Sequence, residues 1–380
     1  IPTRILFGCG EIKKLATEKL PGKKALIVIS AGGSMRKYGY LDKVIGFLKE
    51  NDVESVVFDK VLPNPIKQHV MEAAQLCRDE HCDFVIGLGG GSSIDSAKSI
   101  AIMACNEGDY WDYILSGSGK GRPVKKELPI IAIPTTAGTG TEADPWTVIT
   151  HKKKKKKIGF GCQYTYPVLS IIDPELMTSI PPHLTAYQGF DAFFHAAEGF
   201  IANCATPISD LYALEAIRLI YKYLPVAVAD GRNLKARAKL AWASTLAGMV
   251  ESTSSCTSEH SMEHAMSAFY PQLPHGAGLI CLSAAYFETF RNDCMKRYMK
   301  MAEAMTQKKS NRPSDFIDAL LVMQKECHVQ DLKLSDWGIQ KNDLSKMVQN
   351  ARETMGDLFR LDPRPLRDEE ILDIYEKSYK

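Results

Sequence analysis

Between Lys24 and Asp173 short apolar runs alternate with amphipathic stretches, the pattern of strands separated by helices in a parallel sheet. KALIVIS from Lys24, VESVVFD from Val53, CDFVIGLGG from Cys82, LPIIAIPTT from Leu128 and VLSIID from Val168 are the predicted strands. After Ser179 the texture changes. Pro181-Pro182 punctuates the chain, and the remaining half is rich in Ala and Leu and nearly free of β-branched runs, which predicts helices. The change falls in DPELMTSIPPH, near residues 174 to 183, and predicts an α/β domain over 1–180 and an all-α domain over 181–380.

Two strand ends carry chemistry. DFVIGLGGGSSIDSAKSIA runs from a strand through Gly89, Gly90, Gly91, Ser92 and Ser93 into a helix, where free N–H groups and the helix dipole favour an anion. The spacing is neither a P-loop nor a clean G-x-G-x-x-G, and a tight structural turn is the plainer alternative. LPIIAIPTTAGTGTEAD supplies a second loop of small hydroxyls and flexible backbone, Thr135, Thr136, Gly138, Thr139 and Gly140. Two such loops at the ends of parallel strands fit a ligand outside the carboxyl edge of an open sheet. After the first strand SAGGSMRKYG has no acid to meet ribose hydroxyls. Gly32, Gly33 and Ser34, with Arg36 and Lys37 close by, would accept a 2′-phosphate, so NADP(H) is favoured over NAD(H).

In the helical half, DAFFHAAEGF sets Asp191 and His195 four residues apart in an apolar run, so carboxylate and imidazole share one helical face. SSCTSEHSMEHAMSAFYPQLPHGAG adds His260 and His264 at the same spacing, and His275 between Pro274 and Gly276, where a loop can return it. One Asp and three His would close four positions on a divalent transition metal, and Fe(II) and Zn(II) suit such a set alike. His260 to His264 also matches H-x-x-E-H, a zinc-protease signature with Glu263 as base. A protease has no use for the two glycine-rich loops or for Asp191 and His195, so that reading is the lesser one.

At 380 residues the chain predicts two domains, or three. A net charge of +2 with 24% charged residues gives no reason to invoke nucleic acid or an anionic membrane. The ten cysteines form no CxxC pair, as expected of reduced thiols. No apolar run approaches the roughly 20 residues of a membrane span, and IPTRILFGCGEIKK lacks a signal-peptide layout, so the expectation is a cytoplasmic protein. Lys152 to Lys157 read as a solvated turn between strands, without the aromatic interleaving of a nucleic-acid patch.

With these features in view the chain resembles the iron-containing (group III) alcohol dehydrogenases, in their butanol dehydrogenase-like branch. GGGSSIDSAK, IPTTAGTGTE, the IDPELM and IPP junction, DAFFHAAEG and HSMEHAMSAFYPQLPHG carry the resemblance over most of the chain. It implies a Rossmann-like dinucleotide-binding domain and a helical domain, with metal and cofactor in the cleft between them. It implies metal ligation by Asp191, His195, His260 and His275, with iron favoured, and His264 beside the nicotinamide. Cofactor contacts carry over to Asn64 of LPNP, to Gly90, Gly91, Ser92 and Asp95, to Thr135, Thr136 and Thr139, and to Lys157 at the end of the lysine run.

The reaction expected is hydride transfer between NADP(H) or NAD(H) and a small primary alcohol or aldehyde such as butanol or butanal, with His264 relaying the proton. A homo-oligomer, a dimer, is also expected. The competing reading is a dehydroquinate synthase-like lyase. That would need Lys and Arg around the substrate, whereas Phe190, Phe193, Phe194, Phe200, Phe269 and Tyr270 flank the ligands and suit a small neutral molecule.

Overall fold

The computed structural model describes residues 1–379. They form two compact units, Ile1–Thr136 with Thr141–Ser179, and Ala137–Gly140 with the chain from Ile180 onward.

The first unit is built on a six-stranded parallel sheet of β1 (Arg4–Phe7), β2 (Lys24–Ser30), β3 (Glu54–Val61), β4 (Phe84–Gly89), β5 (Ile130–Pro134) and β8 (Leu169–Ile172) in the order β1-β8-β5-β4-β2-β3. β6 (Thr147–His151) and β7 (Lys156–Phe160) form a separate antiparallel hairpin. Every residue of β4 and β5 is buried, because helices cover both faces of a parallel sheet; such strands read as unbroken apolar runs. The helices are α1 (Ser34–Lys37), α2 (Tyr40–Glu50), α3 (Lys67–Asp79) and α4 (Gly91–Cys105). Gly87 permits α4 to lie close on β4, since a Cβ there would stand 2.8 Å from the Ile94 Cα.

All five predicted strands form. The pattern missed β1, whose RILF is too short to show alternation, while the hairpin forms where the lysine run was read as a turn between strands. The lysine run is mostly turn: Lys152–Lys154 make the 3-10 turn and Lys155 takes a positive φ of 48°, but Lys156 and Lys157 belong to β7 and Lys157 is buried opposite Thr150.

The second unit is all helix: α5 (Pro182–Ile201), α6 (Pro207–Ala229), α7 (Leu234–Thr253), α8 (Ser258–Phe269), α9 (His275–Thr289), α10 (Met295–Thr306), α11 (Ser314–Glu326), α12 (Leu344–Met355) and α13 (Asp368–Ser378). Starts are signalled locally. Pro182 occupies the first turn of α5, the Thr206 side chain accepts from Ser209 N ahead of α6, and Asn233 accepts from Ala236 N ahead of α7.

α5 is buried almost throughout, so its other faces are as apolar as its ligand face is polar. Phe190, Phe193, Phe194 and Phe200 are fully buried in the helical core, with Phe193 stacked on Phe316 and Phe194 on Phe287. This corrects their assignment as a substrate lining: about 100° of turn per residue lets the neighbours of Asp191 and His195 point away from the donors, and these rings pack into the helical core.

Candidate metal and cofactor sites

Three helices of the second unit bring the ligand candidates together. α5 carries Asp191 and His195, α8 carries His260 and His264, and His275 is the first residue of α9. Asp191 Oδ1 is the focus: His275 Nε2 lies 3.4 Å away, His260 Nε2 3.6 Å and His195 Nε2 3.7 Å. Tetrahedral donors each about 2.1 Å from an ion stand roughly 3.4 Å apart, so each imidazole keeps about the separation from Asp191 that a shared ion asks for, and the donor atoms of Asp191, His260 and His275 all lie within 4.8 Å of one another.

Buried Asp191 Oδ1 and His260 Nε2 have no hydrogen-bond partner. Orphaned polar atoms at that depth are costly unless a ligand satisfies them. Burial opposes ionisation of Asp191, but His195 and His275 hold its carboxyl well below the usual range. Burial likewise opposes a charged His260, yet Cys256 and Glu198 hold its imidazole well above the ordinary value. A cation among these donors would meet the Asp191 carboxylate without burying a bare negative charge. A divalent ion fits the donors.

Two glutamates orient the rings from behind. His260 Nδ1 is hydrogen-bonded to Glu198 Oε1 and His275 Nδ1 to Glu263 Oε2, and both glutamates are fully buried. Each bond leaves Nε2 for the site, the outer-shell arrangement of metal-binding histidines. Glu198 also accepts from Thr257 N and Thr257 Oγ1, both at 2.8 Å. Sequence reasoning missed Glu198, although it sits seven residues after Asp191 and so on the same helical face. Glu263 entered only as a protease base; its hydrogen bond to His275 gives it a supporting part instead.

His264 stands beside this group, its ring centroid 5.3 Å from that of His275, with Nδ1 2.8 Å from Met355 Sδ. Behind α8, Asp362 accepts from Ser258 N at 3.0 Å and Tyr286 Oη at 3.1 Å; burial pushes its carboxyl up to about 7.

The first unit holds the predicted cofactor residues. Gly90 caps α4 without any side-chain hydrogen bond, leaving the helix N-terminus open to an anion. A Cβ at Gly89 would meet Ser93 Oγ at 2.6 Å and one at Gly90 would meet Thr136 at 3.2 Å, so glycine keeps the cradle clear. Thr135 N donates to Gly89 O at 2.8 Å, tying the two loops side by side, and Ser92 Oγ donates to Pro63 O at 2.5 Å, drawing in the LPNP segment with Asn64. The features of a phosphate-binding turn are present and fit a dinucleotide.

Asp95 is held from within the chain: Oδ1 accepts from Thr141 Oγ1 at 2.7 Å and Oδ2 from Val148 N at 2.9 Å, so it also builds the loop framework beside the cradle. Fully buried Lys98 completes that framework, donating to Thr141 Oγ1, Asp144 O and Trp146 O at 2.6–2.8 Å. Thr139 belongs to the second unit, where Gly138 packs on Gln188 and Gly140 on Gly248.

Around SAGGS, Gly32 and Gly33 are exposed and Ser34 opens α1. Arg36 pairs with Asp59 at 2.8 Å, a residue that parallel pairing of β3 with β2 brings alongside. The acid absent from SAGGSMRKYG itself is thus supplied across strands by Asp59.

Comparison with known proteins covers both units. The family described as "Iron-containing alcohol dehydrogenase" matches residues 2–174, and "Fe-containing alcohol dehydrogenase family, C-terminal" matches residues 185–379. The chain is 34% identical to "Choline dehydrogenase" of Bacillus subtilis, spanning 100% of this chain and 94% of that protein. It is 31% identical to "NADPH-dependent butanol dehydrogenase" of Clostridium saccharobutylicum, spanning 100% and 97%. The crystal structure of an archaeal halo-thermophilic alcohol dehydrogenase from a Red Sea brine pool superposes with a TM-score of 0.95 at 33% identity, covering 99% of this chain and 97% of that one. With both halves matched and the ligand cluster assembled, the chain belongs to the iron-containing alcohol dehydrogenase family.

Proposed function

We propose that this chain interconverts a small primary alcohol and its aldehyde with NADP(H) as cofactor, butanol and butanal being the representative pair. The observation that carries the reading is the convergence of three imidazoles on Asp191 Oδ1, two of them braced by buried glutamates. The family's reliance on iron and NAD(P), and the resemblance to an NADPH-dependent butanol dehydrogenase, support it.

Asp191, His195, His260 and His275 would hold the divalent ion, which when bound supplies Lewis acidity to the substrate oxygen, while the nicotinamide supplies or accepts hydride. The chain's own work is placement. Glu198 and Glu263 fix two ligand rings in the tautomer that offers Nε2. Gly90, Gly91, Ser92, Thr135 and Thr136 receive the pyrophosphate, with Asn64, Thr139 and Lys157 contributing to the cofactor site. His264 moves the proton, a task for which imidazole is the side chain best suited near neutral pH.

For the 2′-phosphate, Gly32, Gly33 and Ser34 offer donors and Arg36 the charge, provided that Arg36 exchanges Asp59 for the phosphate. The test is steady-state reduction of straight-chain aldehydes with NADPH and NADH side by side. Higher kcat/KM with NADPH is expected, and a preference for NADH would remove the 2′-phosphate reading. His264→Ala should lower turnover and flatten the pH–rate profile; an unchanged profile would take the proton role away from His264.

A further inference from the structure

The ligand cluster has a second face that the fourfold Asp-and-histidine reading leaves unused. Cys256, in the segment between α7 and α8, is buried, and its Sγ groups with ring nitrogens of His195 and His260, all within 4.8 Å of one another. Glu251 near the end of α7 completes that face. Its Oε1 accepts from the Cys256 thiol and lies 3.5 Å from His195 Nε2, the separation expected of two donors about 2.1 Å from one ion.

Of the partnerless buried atoms, His260 Nε2 belongs to a residue the two faces share and Asp191 Oδ1 to the carboxylate beside it. An isolated buried cysteine among apolar neighbours would be inert packing. This one faces two imidazoles and a carboxylate.

We propose that Cys256 is a metal ligand, so that a thiophilic divalent cation such as Zn2+ binds this chain through Cys256, His195 and His260, with Glu251 at the same sphere. The inference rests on the metal reading above and changes its composition. A thiolate favours zinc and cobalt over harder ions, and its S–H proton passes to solvent when the metal–sulfur bond forms. The pocket thus contains two overlapping donor sets, one of oxygen and nitrogen around Asp191 and one bearing sulfur around Cys256, and the identity of the ion decides which is filled.

Cobalt reports sulfur ligation directly. Full-length protein stripped with chelator and loaded with one equivalent of Co2+ should develop a near-ultraviolet sulfur-to-metal charge-transfer band beside its visible ligand-field bands. Cys256→Ser should bind cobalt yet lose the charge-transfer band, whereas Cys281→Ser, on α9, should keep it. Cobalt bound with ligand-field bands alone would overturn the thiolate proposal and leave the Asp191 reading standing. A band that survives Cys256→Ser would overturn it equally, and no cobalt binding at all would overturn both. Should Cys256→Ser fail to fold, X-ray absorption on wild-type protein with one equivalent of Zn2+ decides: a sulfur shell at about 2.3 Å supports the proposal, and nitrogen and oxygen alone at about 2.0–2.2 Å contradict it.

Discussion

At the residue scale, supporting carboxylates matter as much as the ligands themselves. Glu198 and Glu263 lie behind the donor cluster, yet each holds the far nitrogen of a candidate ligand histidine. Glu198→Gln is expected to weaken metal binding by about tenfold to a hundredfold, measured by competition with a metal indicator. An unchanged affinity would mean that the ring is held by packing alone.

Asp362 makes a different prediction. Burial raises its carboxyl to about 7 from a usual value of 3.8, so in the folded chain it stays protonated where the unfolded chain has already ionised. The unfolded state therefore binds fewer protons across that window, and stability falls as pH rises from about 4 to about 7. Its contribution is fully present below about pH 4. Asp362→Asn should flatten the slope and at pH 8 recover a few kcal/mol, an order-of-magnitude figure at about 1.36 kcal/mol per unit of pKa difference. Urea titrations at pH 5 and pH 8 would show it.

Elements place these residues, and their packing can be tested by volume. Gly248 on α7 lies against the Gly140 loop, where an added Cβ would stand 2.0 Å from the Gly140 carbonyl oxygen. Backbone must move to admit it. Gly248→Ala should destabilise the protein by about 1–3 kcal/mol or more and lower its melting temperature, and a neutral result would contradict the tight approach. Lys98 on α4 is the polar counterpart, paired with Asp144 where both side chains are almost wholly buried. Lys98→Met leaves the Asp144 carboxylate without its cation, and a loss of about 3–5 kcal/mol is expected by chemical denaturation.

Most elements were legible because their signals are local. Parallel strands show as apolar runs, and prolines and Asn or Thr caps announce the helices. The Asp191 and His260 pairs were legible from helical spacing. The contacts that stayed hidden join chain segments far apart: Arg36 with Asp59, Cys256 with His195, Lys98 with the 141–146 loop, and His264 with Met355. The phenylalanines of α5 show the converse. Proximity along the chain suggested a lining, and helical geometry sent them into the core.

At the scale of the whole molecule, chemistry is divided between a sheet that offers an open helix N-terminus and a helical unit that offers nitrogen and oxygen donors. Among the described residues no helix is long and apolar enough to cross a membrane. Binding to the folded state alone stabilises it by mass action, so a divalent ion at about a hundred times its dissociation constant should add about 2.7 kcal/mol. Chelation should remove that increment and lower the melting temperature.

We propose that a divalent ion held by Asp191, His195, His260 and His275 is what gives this chain its alcohol dehydrogenase activity. The most direct measurement is NADPH consumption with butanal by chelator-stripped protein, resupplied anaerobically with one equivalent of Fe(II), beside His195→Ala treated identically. The account predicts no activity without metal, recovery with iron in the wild type and none in the variant. Full activity in the metal-free protein, or equal recovery in His195→Ala, would contradict it.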